Sequence, residues 1–147
     1  MPTHYKGNDE QVLALDTYIK LTRASNSLEN RLMRTAALKD ITPSQFGVLE
    51  ALLHLGPMSQ SEIGGKLLKS GGNITLIIDN LEKCGLVDRQ TAARDRRITN
   101  VSLTAKGKEL IERIFPEQVE VIVKEFGALT ADEQKTLGAL CKKLGRR

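Results

Sequence analysis

The apolar residues of this chain change their spacing at Gly85. Before it, Ile74, Ile77, Ile78 and Leu81 recur at i, i+3, i+4 and i+7, the period of one buried face of an α-helix. After it, Leu86-Val87-Asp88-Arg89-Gln90-Thr91 and Ile98-Thr99-Asn100-Val101-Ser102-Leu103 read as two strands around a polar turn, Arg94-Asp95-Arg96-Arg97. A helix that stops on a glycine and runs directly into a hairpin with a basic tip narrows the fold class sharply. It predicts a mainly α chain with a small β-hairpin wing. Ser70-Gly71-Gly72-Asn73 marks the helix start: Ser70 can cap the first turn, and the two glycines allow a partner to approach the backbone closely. The free N–H groups there, with the helix dipole, favour phosphate. The isoleucine stripe leaves Gly72, Thr75, Leu76, Asp79 and Lys83 facing away from the core.

The segments upstream supply a partner for this helix. Thr42-Pro43-Ser44-Gln45 combines an N-cap, a proline at the first helical position and a Gln three residues after the cap. Phe46, Leu49 and Leu53 form the buried side of the helix it starts, and Gly56-Pro57 stops it. Ser59-Gln60-Ser61-Glu62 repeats the capping pattern, and Ile63 with Leu67 gives a helix of about two turns. A short turn around Lys69 then delivers the helix that begins at Ser70. Two short helices joined by a tight turn, the second polar on its outer face, make a helix-turn-helix.

Longer helices flank this unit. Residues 9–38 contain neither Gly nor Pro, and Val12, Leu15, Ile19, Leu28, Leu32 and Ala36 gather mostly on one side, widened by Tyr18 and Leu21. A helix approaching about 30 residues is too long to be covered by so small a domain, which predicts packing on a second copy. Thr104 caps another long helix carrying Leu110, Ile114, Val119, Ile122, Val123 and Phe126, in which Pro116 is expected to cause a kink or local break and Gly127 an end. Thr130 with Glu133 starts a last helix, with Leu137, Leu140, Cys141 and Leu144 on one stripe and Cys141 expected in the core. The division is one domain over residues 1–147, with helical dimerisation regions at 9–40 and 105–147 around a winged helix-turn-helix at 41–104.

Charge follows the same division. Residues 66–108 hold nine basic and four acidic side chains, a local +5, within a chain whose net charge is +4. Positive charge concentrated on the reading helix and wing suits a nucleic-acid surface. Ser70, Gly71, Gly72, Asn73, Thr75, Leu76 and Lys83 from the helix, with Arg94, Asp95, Arg96 and Arg97 from the wing, are therefore the candidate DNA-binding residues.

Three pieces in this order, Leu81-Glu82-Lys83-Cys84-Gly85-Leu86-Val87-Asp88-Arg89, then Asp95-Arg96-Arg97, then Leu103-Thr104-Ala105-Lys106-Gly107, resemble the MarR family of bacterial transcriptional regulators. The resemblance covers residues 9–144. It implies a homodimer built by the outer helices, a reading helix in the major groove and a wing in the adjacent minor groove. It gives Arg97 the minor-groove contact and Asp95 the task of orienting the tip, and it implies a small-molecule effector site between the first, second and fifth helices. Many members carry Arg directly after the Thr that matches Thr75, whereas this chain has Leu76. Leucine cannot make the bidentate hydrogen bonds by which Arg reads guanine, so readout here leans on Ser70, Asn73 and Thr75 or on apolar contact with a thymine methyl. Alternatively, Leu76 packs against the protein's own wing.

Other chemistry finds few residues. No Ser/His/Asp or Cys/His set, paired acids or phosphate loop points to an enzyme, and no cofactor is implied. Two cysteines without Cys-x-x-Cys spacing and two histidines make neither a disulfide framework nor a dedicated metal site. His54 reads either as the lining of a ligand pocket or as a partly exposed structural histidine at a helix C-terminus. Cys84, beside Lys83, offers a thiol for redox sensing, although a helix C-terminus disfavours the thiolate. No apolar run approaches the length of a membrane span and no apolar signal segment opens the sequence, so no membrane partner and a cytoplasmic location are expected. The expected function is a dimeric DNA-binding repressor relieved by a small molecule. The alternatives are a winged-helix protein-interaction module without DNA affinity, for which a wing with three arginines in four residues has no need, and a thiol-based redox regulator using Cys84.

Overall fold

Among the described residues five helix starts are fixed by short polar side chains that accept the first orphan backbone N–H groups, Ser59 among them with the Glu62 amide at 3.1 Å. Asn8, Thr42 and Thr130 form reciprocal capping boxes with Gln11, Gln45 and Glu133, and Thr104 accepts from the Gly107 amide. The computed structural model describes residues 2–35, 39–67, 71–92 and 94–146. It contains α1 (Asp9–Met33), α2 (Pro43–Leu55), β1 (Met58–Ser59), α3 (Gln60–Leu67), α4 (Gly71–Lys83), β2 (Val87–Ala92), β3 (Asp95–Leu103), α5 (Ala105–Phe126) and α6 (Ala131–Gly145). The expected architecture, mainly α with a hairpin wing, is the observed one.

Several expectations are corrected. The first helix ends at Met33, short of residue 38, with residues 36–38 outside the described part. The hairpin belongs to a three-stranded antiparallel sheet of order β1-β3-β2, because Met58 and Ser59 pair with Val101 and Asn100. Two residues give no alternation to read, so the sequence carried no signal for this edge strand. α5 runs unbroken through Pro116, which lies on the solvent side, where water can satisfy the backbone carbonyl that loses its donor. Cys141 is exposed, not a core residue, because α6 buries no residue in its own chain.

The core is built between the sheet and helices α2 to α5. Val48, Leu49, Ala51 and Leu52 of α2 meet Ile63 of α3, Ile74, Ile78 and Leu81 of α4, Val87 and Val101 of the sheet, and Ile111 and Ile114 of α5, all of them buried. α2 is therefore enclosed on more sides than its expected Phe46, Leu49 and Leu53 stripe, of which only Leu49 is fully buried. α1 buries no residue and leaves Leu13, Tyr18 and Met33 exposed.

Candidate nucleic-acid interface

The orientation of α4 follows from its two faces. Ile74, Ile78 and Leu81 anchor it in the core with Ile77 half-buried beside them, while Asn73, Leu76, Asn80 and Lys83, at i, i+3, i+7 and i+10, form an exposed stripe. Gly85 ends it at φ 74°. The Leu86 amide bonds back to the Leu81 carbonyl at 3.0 Å and the Gly85 amide to the Glu82 carbonyl at 2.9 Å, a left-handed turn that glycine adopts without a Cβ clash. Gly71 and Gly72 open the helix, as expected, while Ser70 lies outside the described residues. Leu76 is 58% exposed, so it does not pack on the wing.

Thr75 and Asp79, expected on the open face, are engaged within the protein. The Gln60 side-chain amide donates to Thr75 Oγ1 at 2.6 Å. From β2, the Arg89 guanidinium grips the Asp79 carboxylate, lies 3.5 Å from Glu82 Oε1 and donates to the Thr75 carbonyl at 3.1 Å. The Arg89 side chain is only 20% exposed and its buried Nε has no hydrogen-bond partner among the described residues, so the remaining donors must be well placed to hold it there. This clamp ties the first wing strand to the reading helix. Sequence reasoning passed over it, although Asp79 and Glu82, three residues apart on a helix leading into a strand arginine, were the available signal.

The wing tip is placed differently from the expected turn. Asp95, Arg96 and Arg97 already belong to β3, and only Arg94 lies in the described part of the turn. The register explains why: Thr91 pairs with Thr99 but Ala92 with Asp95, so the ladder shifts at the tip and β3 carries the extra residues. Asp95 folds back on Arg97. Its Oδ1 accepts from the Arg97 backbone amide at 2.9 Å and from Nε at 3.1 Å, and its Oδ2 accepts from the guanidinium at 3.2 Å. The Arg97 guanidinium, and after it the Arg97 amide, hold the Asp95 carboxyl below its ordinary range. A lowered carboxylate stabilises its contact above the unfolded-state value and loses it only as pH falls through the lower folded-state value, so the tip keeps this geometry at neutral pH. The Arg97 side chain is nonetheless 90% exposed.

The far end of α4 is bolted to α5. Thr104 donates its hydroxyl to the Gly85 carbonyl at 2.6 Å and its amide to the Leu86 carbonyl at 3.1 Å, while Lys106 Nζ reaches the Cys84 carbonyl at 3.0 Å. Gly107, buried here, sits directly against Leu86. The exposed Cys84 thiol lies at this junction, at the C-terminus of α4.

A groove of about 360 Å³ opens between α1, α2 and α5, with Leu28, Leu32, Phe46 and Ile122 on its walls and Gln118, 2% exposed, among its polar groups. The Thr35 hydroxyl donates to Gln118 Oε1 at 3.0 Å. His54 does not line it. Its ring packs on Phe115 at 4.7 Å, Phe115 stacks on Phe46 at 6.1 Å, and only Phe46 faces the groove. Nδ1 of His54, one residue before the end of α2, lies 3.0 Å from the Glu50 carbonyl oxygen, a contact within the helix. Among the described residues no group of three metal-ligating side chains occurs, and no helix is long and apolar enough to cross a membrane.

A helix-turn-helix whose second helix is held open to solvent beside a basic wing defines a winged-helix DNA-binding regulator. The chain belongs to the MarR family: a model of that family matches residues 39–98. YkoM of Bacillus subtilis, an uncharacterised HTH-type transcriptional regulator, is 36% identical over 94% of this chain and 90% of its own length. MhqR, an HTH-type transcriptional regulator of the same organism, is 32% identical over 90% and 91%. Among solved structures, a cysteine-to-serine mutant of MarR from Escherichia coli in complex with operator DNA superposes with a TM-score of 0.76 at 30% identity, covering 85% of this chain and 91% of that one. BpsR of Bordetella bronchiseptica superposes at 0.80 with 25% identity, covering 88% and 98%. The protein is thus a DNA-binding transcriptional regulator and not an enzyme.

Proposed function

We propose that the chain is a homodimeric repressor that lays α4 of each protomer in the major groove of a pseudo-palindromic operator, sets the Arg97 wing in the adjacent minor groove, and lets go when a small molecule enters the groove between α1, α2 and α5. The observation that carries this reading is the unequal burial of the chain. Among the described residues the buried core lies in α2 to α5 and the sheet, while α1 and α6 bury no residue and leave Leu13, Tyr18, Leu140 and Leu144 exposed. Apolar surface of that extent on helices flanking a DNA-reading unit suits a second copy, whose two-fold axis would present both reading helices to one face of the duplex. Selection of bound duplexes from a random library should return dyad-symmetric sites with half-sites about one helical turn, roughly 10 base pairs, apart. Selected sites without dyad symmetry would refute the dimeric arrangement.

The groove supports the effector half of the proposal. Its mostly apolar walls with a few polar groups have the composition of a site for a small, largely apolar molecule, and a volume of about 360 Å³ admits one of modest size. The solved relative BpsR has its DNA binding regulated by 6-hydroxynicotinic acid, an aromatic acid of such a size. The groove joins α1 to α2 and α5, so an occupant is placed to alter how the outer helices sit on the winged unit. Compounds that raise the thermal midpoint through this groove should also lower operator affinity. Binders that leave affinity unchanged would sink the coupling.

A further inference from the structure

We infer that Leu76 is a specificity-determining residue that reads the C5-methyl group of a thymine in each half-site, an inference that rests on α4 being the DNA-reading helix. Four residues make the exposed stripe of α4, and three of them, Asn73, Asn80 and Lys83, are polar. Leu76 stands in the middle of that stripe, 58% exposed, and neither the core cluster nor the half-buried apolar residues packed against it include it. Thr75 and Asp79, its neighbours on the side toward the wing, are held by Gln60 and by Arg89. That clamp fixes the roll of α4 about its axis, so the stripe centred on Leu76 is the part that a duplex would meet. The stripe is bordered by charges that suit a polyanion, Lys83 on the helix and Arg94 and Arg97 on the wing, all exposed.

In the major groove, a branched apolar side chain finds one apolar feature among the hydrogen-bonding base edges, the thymine methyl. Covering that methyl and the leucine together removes both from water. The gain is of the order of one buried methyl group, about fourfold in affinity per half-site and about 15-fold for a dimer engaging two.

The test replaces the thymines of the selected operator by uracil, one symmetric pair at a time. Uracil keeps every hydrogen bond of thymine and lacks only the methyl. The protein as it stands should lose about 15-fold in affinity at one such pair and little at the others. In Leu76→Ala the penalty at that pair should disappear, with thymine and uracil duplexes bound equally. Alanine is the strongest helix former and position 76 is open to solvent, so α4 persists in this variant, which an unchanged thermal midpoint would verify. A protein that selects a sequence yet ignores every thymine-to-uracil exchange overturns this inference alone, as does a penalty that survives in Leu76→Ala. A protein that selects no sequence at all overturns the DNA-reading assignment of α4 and this inference with it.

Discussion

Gly107→Ala is expected to loosen the joint between the reading helix and α5 and to lower the stability of the whole domain by about 2–4 kcal/mol. A Cβ at position 107 would overlap the Leu86 carbonyl oxygen and lie 2.9 Å from the carbonyl carbon and 3.2 Å from Cα. These are backbone atoms, so no rotamer change can relieve the overlap. α5 would have to lift off the Gly85 turn, weakening the Thr104 and Lys106 bonds that cross the joint. Against this stands the better helix propensity of alanine, about 1 kcal/mol, which is too small to reverse the sign. For a domain of this length the thermal midpoint should fall by about 10 °C. Gly138→Ala in exposed α6 provides the opposite case. Among the described residues of its own protomer nothing lies within 4 Å of a Cβ placed there, and the same substitution should stabilise by about 0.5–1 kcal/mol. Calorimetry on both variants decides the matter, and a Gly107→Ala midpoint at or above that of the parent would contradict the steric account.

Gly85 and Gly107 show where a sequence can be read and where it cannot. Gly85 was legible because it sits where a period of 3.6 gives way to alternation, a local pattern that one stretch of chain displays. Gly107 closes one of the pieces that resemble the family, but its neighbours in sequence give no physical reason for a glycine there, any more than those of Gly138 do. Only the approach of Leu86, more than 20 residues back in the chain, makes it irreplaceable. The same distinction runs through the rest of the molecule. Capping boxes, the α4 stripe and the hairpin are local and were legible at Thr42, Ile74 and Val87. Edge strand β1, the Arg89 clamp and the wing register depend on partners far away in sequence and were not. At the site, the residue types were legible and their employment was not. Thr75 and Asp79 looked open by periodicity, yet Gln60 and Arg89 reach them from α3 and β2. His54 was the one polar ring near the right helices, but the Phe115 and Phe46 stack keeps it away from the groove.

Arg97→Ala should cost the proposed dimer about 100-fold in operator affinity, and the loss should be nearly the same on a scrambled duplex. The guanidinium is held forward by Asp95 while remaining exposed, so it meets the duplex without first having to be ordered. A charge-assisted contact retained after discounting for solvent and for the competing carboxylate is worth about 1.4 kcal/mol per protomer, and two protomers give the 100-fold figure. The minor groove offers a degenerate hydrogen-bond pattern, which is why the loss spreads across sequences. Removing one cation per protomer should flatten the slope of log affinity against log salt by about 2 for the dimer. Asn73→Ala should behave otherwise. Asn73 is uncharged and exposed in the first turn of α4, so the salt slope should hold while discrimination falls by about 1–3 kcal/mol at one base pair of each half-site. Titrating both variants against the selected and scrambled duplexes at several salt concentrations separates the two behaviours. Equal, sequence-independent losses for both would mean that α4 only grips the backbone and that the bases are read from another element.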